Sequence, residues 1–201
     1  MVNERSTPQQ ERSRVAFTRV LDAADELFAE FGVHETQISQ IIDRSGVSAG
    51  SLYRFFPDKM SVAHALIERY RGGIGGMAGV LVRAETVEEV LNLIDATVDL
   101  SAKYRAENPG YRALSEVFPA SDPASPLYEM RQEQVELFVE LVADVASHIS
   151  KKQRHRIISY MAVIMDAVLK AEDVESDSEA RATETKQVLR RYVEAELLSG
   201  A

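Results

Sequence analysis

Two short runs in the chain have the form of catalytic or cofactor motifs. Gly46-Val-Ser48-Ala-Gly50 satisfies G-x-S-x-G, where a serine on a sharp strand-to-helix turn becomes a nucleophile. That chemistry needs a preceding strand and later acid and histidine partners, but the residues before Gly46 carry a helical pattern. Gly73-Ile-Gly75-Gly-Met-Ala78 satisfies G-x-G-x-x-A, which cradles a pyrophosphate when it follows a strand. Here the helical stretch Ile67–Arg71 precedes it. The histidines His34, His64, His148 and His155 are scattered, with no pair at ligand spacing beside carboxylates. Cysteine is absent, which excludes thiolate nucleophiles, thiolate metal sites and disulfides. Asp166, inside the apolar run Met161–Leu169, reads as an i, i+4 partner of Lys170. The sequence therefore predicts no catalytic residue, no metal and no cofactor.

A different chemistry is offered by the segment from Thr36 to Lys59. Ile38, Ile41, Val47, Leu52 and Phe55 are spaced to form one small core against a preceding helix. That leaves Ala49, Gly50, Ser51 and Tyr53 on the outer side of a short helix capped by Ser48. Small residues let a helix backbone approach base edges in the major groove, and the Ser51 hydroxyl can bond several bases. The Tyr53 phenol, together with Thr36 and Ser48 at helix N-termini, suits phosphate oxygens. Arg54 and Lys59 add cations beside the same helix.

These side chains need helices to hold them. Phe17, Val20, Leu21, Ala24, Leu27, Phe28 and Phe31 recur at three and four residues, marking one face of a first helix that Gly32 stops. Thr36 is the expected N-cap of a second helix, Gly46 makes the tight turn to a third, and Pro57-Asp58 opens a fourth. Gly72–Gly79 holds five of the chain's 10 glycines and predicts a hinge or disrupted helix. Further helical patterns follow near 86–106, 110–118, 125–149, 151–173 and 177–199. Strand alternation is nearly absent. The fold expected is all-α, of about nine helices, with a trihelical domain over 1–58 (1–11 being a mobile arm) and a second domain over 59–201.

Among 201 residues, 23 basic side chains face 32 acidic ones, a net charge of −9. Residues 1–20 run the other way, with Arg5, Arg12, Arg14 and Arg19 against Glu4 and Glu11, as do residues 44–59. A basic edge on an acidic body is the expected picture. The first 14 residues lack an apolar core, and the longest uncharged stretch, Gly72–Val82, is too short to cross a bilayer. Neither a secretory signal nor a membrane partner is expected.

The run Gly46-Val-Ser-Ala-Gly-Ser-Leu-Tyr-Arg-Phe-Phe-Pro-Asp-Lys59 closely resembles the recognition-helix signature of the TetR/AcrR family of bacterial transcriptional regulators. The resemblance covers residues 12–60. Ile42 and Ser45 stand where the family more often has alanine, and Phe55 where it often has histidine. The resemblance implies a cytoplasmic, non-enzymatic repressor. It implies an N-terminal helix-turn-helix domain and a C-terminal helical bundle for ligand binding and dimerisation. It implies a homodimer on a palindromic operator, released by a small-molecule effector. Applied to this chain, DNA contacts fall to Thr36, Ser48, Ala49, Gly50, Ser51, Tyr53, Arg54 and Lys59. Met77, Tyr104, Tyr111, Phe118, Tyr128, Met130 and Phe138 are the candidate ligand contacts, suited to an apolar or weakly polar molecule. The apolar faces of the last two helices supply the candidate dimer interface: Ile158, Met161, Met165, Val168, Leu189, Tyr192, Val193 and Leu197. The residues alone also allow a helical small-molecule sensor or carrier that binds no DNA.

Overall fold

The computed structural model describes residues 8–78, 81–170 and 178–199. Its helices are α1 (Pro8–Glu35), α2 (Ile38–Ser45), α3 (Ala49–Phe55), α4 (Lys59–Ala78), α5 (Val87–Glu107), α6 (Tyr111–Val117), α7 (Pro126–Leu141), α8 (Lys151–Lys170) and α9 (Ser178–Glu196). Among the described residues no strand occurs and no helix is long and apolar enough to cross a membrane. Local chemistry sets several boundaries. Asp58 accepts the Ser61 N–H at 2.7 Å to open α4. Thr86 and Glu89 exchange backbone-to-side-chain bonds at the start of α5, and Ser150 and Gln153 do so at α8. Pro126 sits in the first turn of α7 behind the cap Ser125.

Of the expected arm over 1–11, residues 1–7 lie outside the described residues, while residues 8–11 form the first turn of α1. Gly32 interrupts α1 with φ 79° and ψ 162°, a conformation that favours glycine. The expected hinge over the glycine run takes another form. α4 continues through Gly72, Gly73, Gly75 and Gly76 without a break. A Cβ on Gly73 would meet the Tyr104 hydroxyl at 2.8 Å, so that glycine admits a close aromatic neighbour. Gly72, Gly75 and Gly76 have no such neighbour, and each leaves the helix about 1 kcal/mol weaker than alanine would.

The chain forms two compact units, and their boundary differs from the expected division at 58/59. One takes the described residues up to Gly72 together with Asn108–Pro119; the other takes those of Gly73–Glu107 and from Ala120 onward. In the first unit, α1 packs on α2, α3 and α6. Val20, Leu21, Ala24, Leu27 and Phe28 of α1 are buried, as are Ile41 of α2, Val47, Leu52 and Phe56. Segment 108–119 joins this unit through Asp25. The buried Asp25 carboxylate accepts the Tyr70 hydroxyl at 2.7 Å, the Gly110 N–H at 2.7 Å and the Arg69 guanidinium at 3.1 Å. Gly110 lies so close that a Cβ there would meet the Asp25 carbonyl oxygen at 2.7 Å. The His64 and Phe118 rings meet edge-on at 5.0 Å, tying α4 to the same segment.

In the second unit, α5 packs on α9, α7 on α8 and α8 on α9. Its core runs through Val90, Ile94 and Val98 of α5, Val135, Phe138 and Val139 of α7, Ile158 and Met161 of α8, and Leu189 and Val193 of α9. Charged pairs hold these helices in register. Arg190 grips Asp95 with two bonds, at 2.9 and 2.6 Å. Asp166 receives Arg105 at 2.6 Å and Arg131 at 3.1 Å, joining α8 to α5 and α7. The side chain of Lys170, the partner expected for Asp166, lies outside the described residues. The pattern expected over 125–149 ends as helix at Leu141 and continues as turns.

Two measurements follow from this packing. Leu52 is fully buried and anchors a helix of 7 residues. Leu52→Ala is expected to lower stability by about 2–5 kcal/mol in denaturant melts. Burial holds the Asp25 carboxyl above its usual range, opposed by the bonds from Tyr70 and Gly110 and by the Arg69 charge. A carboxyl that binds its proton more readily when folded favours the folded state at low pH, an advantage lost as pH rises through the folded value. Wild type should therefore gain stability relative to Asp25→Asn as pH falls from neutral into the carboxylate range. A difference that stays flat or reverses contradicts this placement of Asp25.

Candidate nucleic-acid interface

The first unit builds an exposed helix on a buried support. Gly46 takes φ 62°, and its N–H bonds to the Ile42 carbonyl, closing α2 and turning the chain. Val47 enters the core, so the next residue emerges at the surface. Ser48 caps α3: its hydroxyl accepts the Ser51 N–H at 3.3 Å and donates to the Ser51 hydroxyl at 3.0 Å. Leu52 then points inward and fixes the helix rotation. Ser48, Ala49, Gly50, Tyr53 and Arg54 are exposed, and Ser51 is partly so. Tyr53 is 51% exposed, and a Cβ on Gly50 would meet nothing within 4 Å. α3 thus presents a narrow, small-residue face with one phenol and one cation.

Aromatic packing sets the far end of α3. Phe17 of α1 meets Phe56 at 5.1 Å and Phe55 at 5.8 Å. Phe56 is the buried member; Phe55, expected in the core, is half-buried. The Arg54 guanidinium lies 4.9 Å from the Phe55 ring centre and donates to the Ser13 hydroxyl at 3.3 Å.

Two expected contact residues have other partners. Thr36 is fully buried, and its hydroxyl donates to the carbonyls of Gly32 at 2.7 Å and Leu27 at 3.2 Å. Its side chain cannot reach a phosphate. The cap of α2 is Gln37, whose N–H bonds to the Gln40 side chain at 2.6 Å. Glutamine is an uncommon cap, which is why threonine one residue earlier was the natural expectation. Lys59 donates to the carbonyls of His34 at 2.7 Å and Thr36 at 2.6 Å, clipping the start of α4 to the turn before α2. One ammonium N–H remains for an outside acceptor.

Neither catalytic-type motif has the setting its chemistry requires. Ser48 follows a helix and a turn, and its hydroxyl engages Ser51, so no nucleophile elbow forms. The G-x-G-x-x-A run lies inside α4 rather than between a strand and a helix. Among the described residues no cluster of histidine and carboxylate could hold a metal ion.

The candidate ligand contacts are divided between the two units. Tyr111 and Phe118 belong to the first unit, where Tyr111 lies 5.6 Å from Tyr70. Tyr104, Tyr128, Met130 and Phe138 belong to the second; Phe138 is part of its core, and Tyr104 and Met130 are buried. The side chain of Met77 lies outside the described residues.

Five of the eight candidate dimer residues face inward. Ile158, Met161, Leu189, Val193 and Leu197 are buried in the core of their own unit, and Met165 and Tyr192 pack partly against it. Val168 is half-buried. The apolar stripes read from the sequence are the inward faces of α8 and α9. The outward side carries Tyr160 at 57%, Val163 at 49% and Val188 at 45% exposure. Tyr192 borders this surface: burial raises its phenol's pKa, with Glu196 and Tyr160 acting in the same direction and Arg156 opposing. Sequence periodicity marks the more hydrophobic face of a helix, and here that face went to the monomer core.

Residues 20–66 match the family model for bacterial regulatory proteins of the tetR family. The chain is 31% identical over 84 residues to the fatty acid metabolism regulator protein of Bacillus subtilis, covering 41% of this chain and 43% of that protein. It is 26% identical over 139 residues to the transcriptional activator FasR of Mycolicibacterium smegmatis, covering 69% and 62%. The chain therefore spans less than two thirds of either curated relative. The fold is like that of a TetR-family transcriptional regulator from Streptomyces coelicolor, with a TM-score of 0.71, 21% identity, and coverage of 92% of this chain and 99% of that one. The family match over residues 20–66 includes all of α2 and α3, whose geometry is described above, so this part of the chain is similar to bacterial regulatory proteins of the tetR family.

Proposed function

We propose that this protein is a ligand-responsive transcriptional repressor that binds a palindromic operator as a homodimer. The observation that carries the proposal is α3: a capped helix, held by buried Leu52, whose outward residues are Ala49, Gly50, Ser51, Tyr53 and Arg54. Ala49 and Gly50 let the helix backbone approach base edges, and Ser51 reads them. Ser48, Tyr53, Arg54 and the remaining Lys59 N–H hold phosphates and fix register. Thr36 acts only as internal support.

Two copies are needed to read a palindrome, with half-sites about 34–36 Å apart. The second copy docks on the outward surface of α8 and α9, through Tyr160, Val163, Val188 and the edge of Tyr192. These apolar groups otherwise face water, and pairing two α8–α9 hairpins across a two-fold axis buries them. The effector enters the second unit near Tyr104, Tyr128 and Met130. It acts by favouring a dimer spacing that two adjacent grooves cannot accept. An apolar small molecule fits these residues. Two similar proteins are named for fatty acid metabolism and fatty acid degradation, which makes an acyl compound the first class to test.

Selection of bound fragments from random duplex DNA should yield an inverted repeat. Tyr53→Ala is expected to weaken selected and mixed-sequence duplexes alike, whereas Ser51→Val is expected to change the preferred bases, at about 1–3 kcal/mol for a lost base contact. Val163→Asp is expected to convert a dimer to a 22.4 kDa monomer in sedimentation while leaving the helical content intact. Unchanged duplex affinity and preference in Tyr53→Ala and Ser51→Val would exclude α3 as the reading helix and leave a sensor or carrier.

A further inference from the structure

The cations of the first unit divide into two groups. Arg14 pairs with Glu11, Arg44 with Glu26 and Glu30, Arg69 with Asp22 and Asp25, Arg71 with Glu68, and Arg112 with Glu116. Among the described residues, Arg12, Arg19, Arg54 and Lys59 have no carboxylate partner, and Lys59 is bonded to the His34 and Thr36 carbonyls. The pairing follows position along α1. Its carboxylates from Asp22 to Glu30 serve arginines of α2 and α4, while its N-terminal half keeps exposed cations.

Arg12 and Arg19 stand seven residues apart, almost two full turns, so they share one face of α1 about 10 Å apart. That face borders α3 at both ends. The Arg19 guanidinium covers the turn leading into α3: a Cβ on Gly46 would meet its Nη2 at 2.8 Å. Ser13, beside Arg12, receives the Arg54 guanidinium from the other end of α3. A strip of two unneutralised guanidinium groups therefore runs alongside the recognition helix on a protein whose net charge is −9. Exposed arginines held apart from all carboxylates keep their full charge for an outside anion, and guanidinium groups suit phosphate oxygens.

We infer that Arg12 and Arg19 form a second phosphate-binding strip, which grips the DNA backbone flanking the groove that α3 enters. The inference rests on the proposed function and adds α1 to the interface. The strip carries no base readout. It contributes affinity and salt dependence equally on every sequence, and it makes the contacted backbone longer than α3 alone can cover.

The test uses the full chain and a labelled duplex of mixed sequence, titrated between about 50 and 200 mM salt. Arg12→Gln and Arg19→Gln are each expected to reduce the slope of log affinity against log salt by about 0.9 per protomer. Both should weaken mixed-sequence and selected duplexes by the same factor. Arg44→Gln, which removes a cation already neutralised by Glu26 and Glu30, is expected to leave the slope unchanged. Arg12 lies away from the α2–α3 turn, so its variant reports on charge even if Arg19→Gln disturbs that turn. Wild type that shows no salt-dependent binding contradicts the proposed function itself. Wild type that binds while both glutamine variants keep its slope, or an Arg44→Gln slope that falls as theirs does, overturns this inference alone.

Discussion

A helix of seven residues does not hold itself together in water, because nucleation costs more than so few hydrogen bonds return. α3 exists because Leu52 is buried, Val47 pins its entry and Phe56 pins its exit. Everything on the outer side of α3 inherits its orientation from those three apolar anchors. The Ser48 cap adds a local bond, but a cap cannot choose which face of the helix looks outward. Burial of Leu52 makes that choice, and it sets Tyr53 and Arg54 at the surface as a consequence.

Polar groups around this core follow a division of labour. Thr36, Lys59 and Asp25 have the chemistry of binding residues, yet each is engaged internally. They stitch the turn before α2, the start of α4 and the segment 108–119 onto α1. The Asp25 site is the most demanding of these, since a buried carboxylate needs several donors to offset its lost hydration. α4 supplies two and the segment 108–119 a third, a backbone N–H that only a glycine can bring so close. The residues left facing outward on and beside α3 are then small, hydroxylic or cationic. That composition suits a polyanion and suits an apolar partner poorly.

Much of this was legible in the sequence, and the exceptions have physical causes. Gly46, Ser48 and the Leu52 spacing foretold the turn, the cap and the buried side of α3, because each is a local requirement of backbone or periodicity. Thr36 misled because a threonine before a helix has two uses, and choosing between them depends on whether the previous helix leaves carbonyls within reach. Gly32 does leave one. The inward residues of α8 and α9 show a related ambiguity. A hydrophobic stripe shows that a face is buried, not what buries it, and α5 and α7 cover it within the same chain. The membership of 108–119 in the first unit was not legible at all, since Asp25 and Gly110 are 85 residues apart and no local pattern links them. Sequence displays the i, i+4 spacing of Asp166 and Lys170 but hides Arg105 and Arg131, which reach Asp166 from other helices.

The proposed function requires two copies of α3 in successive major grooves on one side of a duplex. Hydroxyl-radical footprinting of the selected operator tests it most directly. Two protected backbone patches are expected, related by a two-fold axis and displaced along one face by about a helical turn, 10–10.5 base pairs between centres, or a multiple of it. A single unsymmetrical patch, uniform protection along the fragment, or protection that persists when α3 loses Tyr53 and Ser51 would contradict it.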